Sequence, residues 1–560
     1  MNIKFLNAGE RCITVCFGNE ISIEMNTKVR MLKKELEENP VEGIIETVPT
    51  YCALSVHFRP EIIRRKELED MLAIRIAEMK PVSVKGDSVK EVPVYYGGET
   101  GPDLEYCAQL EGVSVSELIR KHSSHEYYVY QLGFSPGHPY MARKEEPFSF
   151  KRRETPRVDI PAHSVVVQSN LTNITPFHQS CGWNIIGSTP INITDYSSKT
   201  PFFFSAGDRV RLKPIDKAEY DRIKKEQDRK VKETEAIRNK KGFTVEQPGA
   251  LTTIQDEGRF GYQASGVSPA GPMDHKAYHL ANILVGNKMT AAGLEVTLTG
   301  PTLRFNKETV IAVTGADITP KLNGKDLPMY TAAHVSAGDV LSFGARKNGC
   351  RAYIAFAGGI DEPKVMGSCA TDIKNSLGGY NGRALKCGDE IALADIDIAK
   401  VNTAPVVSSE IFKERYDENE IVLRVITGPQ DDRFTRKGIR DFFNFPATVT
   451  EKSDRQGIRL ECDPLELVTD ANIISDGISL GAIQVANDGK PIILLADRQS
   501  VGGYAKIGNV IYEDIPKLAQ VLPGCRIRFV QVSAELAEEL YIRHITMMKK
   551  LEAGYVQNRS

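Results

Sequence analysis

Apolar and polar positions alternate, or β-branched and aromatic residues cluster, in short runs along most of the chain. RCITVCFG (11–18), YCALSVHF (51–58), HSVVVQSN (163–170), TVIAVTGA (309–316) and CRAYIAFAGG (350–359) are bounded by Gly, Asn or Pro, and they predict strands. Helical periodicity is rarer. NTKVRMLKKELEEN (26–39) puts Val29, Leu32 and Leu36 on one face, with Asn26 as the expected cap. SVSELIRKH (114–122) has Ser114 and Glu117 at capping-box spacing. DHKAYHLANILVGN (274–287) starts at Asp274 and stops at Gly286. The stretch 533–553 predicts a terminal amphipathic helix.

One short pattern recurs at long range. AGDRVRL (206–212), AGDVLSF (337–343), CGDEIAL (387–393) and PGCRIRF (523–529) each place a glycine before an alternating strand. The spacing is too wide for a solenoid. It predicts β domains closing near 212, 393 and 530. The clearest boundary is KKEQDRKVKETEAIRNKKG (224–242), almost wholly charged, which predicts a solvated helix or flexible linker.

A chain of 560 residues exceeds one hydrophobic core, so several domains are expected. The formal net charge of −2 gives no long-range attraction for nucleic acid or an anionic membrane. No apolar run reaches the roughly 20 residues of a membrane span. The N-terminus reads as a strand, not a leader. The ten cysteines show no metal-type spacing. A cytoplasmic protein with reduced thiols is expected, and no metal site. His275 and His279, four apart on a helix, read as structural.

Phosphate-loop, dinucleotide-fingerprint and nucleophile-elbow motifs are absent. Three stretches carry candidate chemistry. In YYVYQLGFSPGHPYM (127–141) a strand feeds a stiff loop with Gly133, Pro136, Gly137 and His138, suited to a pocket wall or a structural turn. In QPGALTTIQDEGRFGYQASGVSPAGPMD (247–274), Asp256 and Arg259 form an ion pair or orient a planar ligand. SDRQG (453–457) and ADRQSVGGYAK (496–506) repeat an Asp-Arg-Gln triplet, with Gln484 on a strand between them. Polar side chains beside Gly502 and Gly503 suit close approach of a ligand to backbone.

These stretches resemble a known pair of families. VPVYYGGETGPDLE (92–105), YYVYQLGFSPGHPYM (127–141), GWNIIGSTP (182–190) and AGDRVRLKPI (206–215) resemble allophanate hydrolase subunit 1, also called the 5-oxoprolinase B subunit or Kip kinase inhibitor. QPGALTTIQDEGRFGY (247–262), GPMDHKAYHLANILVGN (271–287), TDIKNSLGG (371–379), GPQDDRFT (428–435), SDRQGIRL (453–460) and GAIQVANDGKPIILLADRQSVGGYAKIGNVI (481–511) resemble allophanate hydrolase subunit 2, or the 5-oxoprolinase C subunit, the Kip antagonist. The charged segment falls where two subunits would be joined.

The resemblance implies a mainly β, α+β protein with several cyclophilin-like β-barrels. The expected units are an N-terminal α+β part at 1–88, a barrel at 89–223, a linker at 224–242, and second-half barrels at 243–400 and 401–560. It implies ATP- and Mg²⁺-dependent opening of 5-oxoproline or another small amide with a separate LamB/YcsF-type protein, the A subunit of that enzyme. Alternatives are a carboxyltransferase of the urea carboxylase type, with biotin supplied in trans, and a regulator of a histidine kinase. A homodimer is expected. Under the first reading, Arg259, Arg455, Arg498 and Lys506 would be anion donors. Asp256, Asp454 and Asp497 would orient them or hold magnesium, and Gln484 and Gln499 would bind the amide. Gly502, Gly503 and Tyr504 would line the ligand cleft, and His122 would transfer protons. The chain departs from the family at His138, where an aromatic residue is usual. It departs again at His163, Ser169 and Asn173, at usual glycine positions, and at Leu171, a usual glutamine.

Overall fold

The computed structural model describes residues 3–79, 89–143, 147–231, 242–398, 401 and 416–557. The chain is mainly β, with 35% strand and 23% helix, and contains two closed seven-stranded barrels.

The first unit is a four-stranded antiparallel sheet in the order Lys4–Asn7, Cys12–Cys16, Ala53–Phe58, Ile44–Pro49. The helices Ile23–Glu38 and Arg65–Glu78 belong to the same unit, and Val29, Leu32, Leu36, Leu68 and Leu72 share its core with Val15, Leu54 and Val56. The first helix starts earlier than Asn26. Ser22 caps it, its Oγ accepting from Met25 N at 3.2 Å. Asn26 instead sits inside the helix and donates to Thr50 O and Tyr130 O, tying this unit to the next.

The second unit closes a barrel from Val89–Tyr96, Glu126–Leu132, Pro139–Ala142, Ser164–Gln168, Leu171–Ile174, Asn184–Ser188 and Arg209–Pro214. The unit after 242 is two sheets of six and five strands rather than a closed barrel. Phe243, Leu303 and Ile391 from one sheet share a core with Leu294, Val313 and Ile354 from the other. The last unit is again a barrel, from Glu420–Thr427 to Arg526–Gln531, followed by the helix Ala534–Gln557.

The recurring sequence pattern has a backbone cause. Gly207, Gly338, Gly388 and Gly524 all have φ between 86° and 100°, a left-handed turn that favours glycine before a strand. In both barrels the strand that follows closes by running parallel to the first: Arg209–Pro214 beside Val89–Tyr96, and Arg526–Gln531 beside Glu420–Thr427.

The charged segment begins as the helix Lys217–Val231, anchored by Tyr220, whose hydroxyl meets Ser188 Oγ at 3.1 Å. Its remainder, 232–241, lies outside the described residues. The halves meet through side chains. Gln263 N and Nε2 both donate to Glu46, Tyr512 N donates to Glu10, and Arg65 N donates to Glu538. Proteolytic nicking within 224–241 is therefore expected to leave both fragments in one peak on size-exclusion chromatography. Separate elution would show that the covalent link holds them together.

Candidate functional site

A cavity of about 100 Å³ opens where the N-terminal sheet meets both units of the second half. Three adjacent strands supply its first wall. Cys12 pairs with His57, and His57 pairs with Glu46, so the three residues form one row across the sheet. A bulge between Ile44 and Glu46 sets the last of these, the kind of irregularity that re-aims a side chain. Glu10 and Arg11 come from the turn before Cys12. The second wall is the glycine-rich loop from Glu257 to His275, with Phe260 41% exposed. The third is Ser479, Leu480, Ala496, Arg498, Asn509 and Tyr512 of the final barrel. Gly9, at φ 106°, permits the close join: a Cβ there would lie 2.7 Å from Asn509 Nδ2.

Arg498 is the main charge in this space. It is 5% exposed, and its guanidinium donates only to neutral acceptors: Ile478 O, Leu495 O and Gln263 Oε1, at 3.2–3.3 Å. No carboxylate among the described residues forms a salt bridge with it. Burial pulls its pKa down to about 10, while Glu46 works in the opposite direction. Glu46 is itself raised by burial against the hydrogen bonds from Gln263. The result is a buried cation held in place by an amide relay, Glu46–Gln263–Arg498, rather than neutralised by direct contact.

His57 and His275 both line the cavity, and each has an Nε2 without a partner among the described residues. Burial first, then Arg498 and Arg11, push His57 down to about 3, so it is a neutral imidazole at pH 7. His275 is lowered by burial and by His544 and His279, and it stacks on Tyr512 with centroids 3.8 Å apart. Its neighbour His279 is tied to Glu257 at 2.7 Å.

His122 and His138 are likewise lowered by burial to about 3. A depressed histidine stabilises the fold fully above its ordinary value near 6.5, and that contribution is lost as pH falls towards 3. Each such histidine is expected to add a limiting slope of about 1.4 kcal/mol per pH unit to the fall in unfolding free energy between pH 6.5 and 4, while the raised carboxyls of Glu10, Glu46, Asp372 and Asp497 act in the opposite sense. Urea titrations across that range on the protein and on a His122→Gln variant isolate one histidine's share, and an unchanged slope in the variant would refute neutral burial.

The structure disperses the residues singled out by sequence. Arg498 lines the cavity. Arg455 instead makes a two-pronged contact with Asp497 at 2.9 Å and also bonds Glu295 and Gly271 O, all within the core. Asp256 and Arg259 do not pair with each other; both clamp the 365–370 loop. Asp256 accepts from Ser368 Oγ and Cys369 N, and Arg259 donates to Val365 O and Ala370 O. Asp454 caps the turn at Gln456 and Gly457. Gln499 bonds Gln456, and Gln484 bonds Tyr504 O. Lys506 is buried on Asp476 at 3.1 Å. Gly502, Gly503 and Tyr504 form a strand beside Asn472–Gly477, and a Cβ on Gly502 would meet Ile478 and Gln484.

His122 does not face the cavity. It is fully buried in the first barrel, with Nδ1 on Tyr96 and Nε2 on Thr172. Gly133 and Gly137 serve the seam between the halves, while Pro136 O accepts from Thr194 Oγ1 within the first barrel's loops. Gly137 N donates to Ser265 O, and a Cβ on Gly133 would collide with Val501. His138 is locked between Asn173 and Gln179, so two departures from the family interlock and fill the loop. His163 and Ser169 sit at φ 66° and 50°, which explains why glycine is usual there.

The Arg498 cavity by itself does not suit the expected ATP and Mg²⁺. The carboxylates of Asp256, Asp454 and Asp497 are each spent on separate local donors, and the described residues contain no cluster of three metal-type ligands. The cavity is smaller than the roughly 300 Å³ at the low end of ordinary ligand pockets. It suits a ligand of a few heavy atoms and does not fit a nucleoside triphosphate with magnesium.

Sequence reasoning missed Glu10, Arg11, Glu46, His57, Gln263, His275, Asn509 and Tyr512. Gln263 and His275 lie inside or beside stretches already marked by their glycine content. Glu10, Arg11, Glu46 and His57 carry no local signal, because only the packing of the N-terminal sheet on the second half brings them together.

Comparison with known proteins finds two separate matches along the chain. Residues 3–204 match the carboxyltransferase domain, subdomains C and D, and residues 265–531 match subdomains A and B. The chain is 37% identical to the 5-oxoprolinase C subunit of Escherichia coli over 289 residues, covering 52% of this chain and 91% of that one. It is 33% identical to the 5-oxoprolinase B subunit of Bacillus subtilis over 232 residues, 39% of this chain and 95% of that one. Urea amidolyase of Saccharomyces cerevisiae is 37% identical over 54% of this chain, but the match spans 17% of that protein. Among solved structures, TTHA0988 superposes with a TM-score of 0.80 at 30% identity, covering 93% of this chain and 99% of that one.

Proposed function

Because the chain belongs to the carboxyltransferase family and carries the B and C types of 5-oxoprolinase subunit in one polypeptide, we propose that it binds and activates a small planar amide of the 5-oxoproline class in the cavity around Arg498. The observation that carries this reading is the buried guanidinium without a carboxylate partner, beside two imidazoles with free Nε2 atoms.

An amide resists attack because its nitrogen lone pair is delocalised onto oxygen. Nucleophilic attack at the carbonyl carbon, or deprotonation at the amide nitrogen, puts negative charge on that oxygen. A fixed buried cation stabilises such charge strongly, since little solvent screens it. Arg498 supplies this donor, and the Glu46–Gln263 relay holds its orientation. His57, neutral at pH 7, exchanges a hydrogen bond with the amide nitrogen. Phe260 at the mouth covers the ligand's flat face. Nucleotide chemistry belongs to a separate LamB/YcsF-type protein, since nothing in the cavity fits ATP.

The test is glutamate formation from 5-oxoproline by this chain, the LamB/YcsF-type protein and ATP. Absence of substrate-stimulated ATP hydrolysis in the complete mixture would sink the reading. A second reading, carboxyl transfer to urea from carboxybiotin carried in trans, uses the same donor on the same oxygen. It is favoured by the match to the carboxyltransferase subdomains. Discharge of carboxybiotin only when urea is present would select it.

A further inference from the structure

A second cluster lies on the other side of the Asp497–Arg498 pair, where loops of the first barrel meet the 365–379 region. Arg259 is fully buried. Its Nε and Nη2 are spent on the carbonyls of Val365, Ser368 and Ala370, while Nη1 has no partner among the described residues. Gly378 makes room for this arrangement, since a Cβ there would lie 2.4 Å from Arg259 Nη2. The hydroxyl of Tyr196 is also buried without a partner; its ring stacks on Phe177, and it lies within electrostatic reach of Arg259 and Asp372. Lys374 is exposed, its Nζ 5.3 Å from the ring centroid of Phe134. Phe134 has φ 67°, an uncommon backbone for a bulky residue and the kind of strain that collects at ligand sites.

Buried donors are seldom left unpaired, because each costs desolvation with no return bond. Here two such donors, on opposite halves of the molecule, share one neighbourhood with a lysine at its edge. We propose that this seam is a second small-molecule site, which takes a small carboxylate through Arg259 Nη1, the Tyr196 hydroxyl and the Lys374 ammonium.

Asp372 gives the site a pH signature. It is fully buried, and Asn375 donates to both of its oxygens. Burial, then Asp497, raise it to about 6, with Asn375 and Arg259 opposing; Lys374 and Tyr196 also lie around it, and Asp454 faces Lys374. Bringing in an anion favours the protonated form of Asp372, so binding strengthens as pH falls through about 6.

The carboxylate has two sources: a ring-opened amino acid or a bicarbonate-derived carboxyl. Calorimetric titration of the full chain with acetate, and separately with bicarbonate, distinguishes them by which binds more tightly. Saturable binding is expected with at least one. Tyr196→Phe and Lys374→Met should each weaken it about tenfold, the scale of one lost charge-assisted hydrogen bond. Tyr196→Phe should leave thermal stability unchanged or raised, since it removes an unsatisfied hydroxyl. Asp372→Asn should flatten the pH dependence. Absence of saturable binding with both anions, or equal affinity in the Tyr196 and Lys374 variants, would overturn the site. Because the readout is binding, failure of the cavity reading leaves this result unaffected.

Discussion

Arg455→Met is expected to lower the unfolding free energy by about 3–5 kcal/mol, the usual cost of removing one partner from a buried ion pair. Arg455 is 5% exposed and holds two carboxylates from two units, Asp497 in the last barrel and Glu295 in the sheet pair before it. Glu295 is also the acceptor for Tyr353 OH and Met273 N. Burial pushes its carboxyl up, but Arg455 and Arg351 outweigh that and hold it below the usual range. Without the guanidinium, both acids are left charged in the core or must take up protons. Adding Asp497→Asn to the Arg455→Met variant should recover part of the loss. Urea denaturation measures both, and a loss below about 1 kcal/mol would mean that water already reaches the network.

Arg498→Lys should lower kcat/KM for the amide about 10²-fold or more, the scale of losing one preorganised donor to a developing oxyanion. Lysine keeps the charge but not the fork. It cannot hold Ile478 O, Leu495 O and Gln263 Oε1 together and still face the cavity. Steady-state kinetics of the complete enzyme mixture measures the effect. A KM change with kcat preserved would make Arg498 a binding residue, not an activating one.

These two arginines also show how far the sequence was legible. Both sit in Asp-Arg-Gln triplets, and the repetition correctly marked the final barrel as special. It did not distinguish a core clamp from a cavity donor, because that depends on how each loop packs in the folded chain. Asp497 and Arg498 share the turn after Pro491–Leu494, yet one joins Arg455 and the other enters the cavity. Strands were legible from alternation and the recurring glycine turns, whose backbone requirement is local. The resemblance implies a barrel at 243–400, and strand alternation does not correct it, because barrel and sandwich strands share the same alternation; closure is set by long-range pairing. The first helix began at Ser22 rather than Asn26 because two neighbouring carbonyls claim the asparagine side chain. Glu10, Glu46 and His57 belong to the N-terminal sheet, more than 200 residues from the loop they face, and no sequence period records that meeting.

If the amide is activated in the cavity formed by the N-terminal sheet, the 257–275 loop and the final barrel, a ligand must be seen there. A crystal structure of the full chain soaked with 5-oxoproline is the decisive measurement. Density is expected in the cavity, with the ligand carbonyl oxygen within hydrogen-bond distance of the Arg498 guanidinium and the ring beside Phe260 and His57. Density inside the first barrel near His138, with the Arg498 cavity unchanged, would contradict this placement.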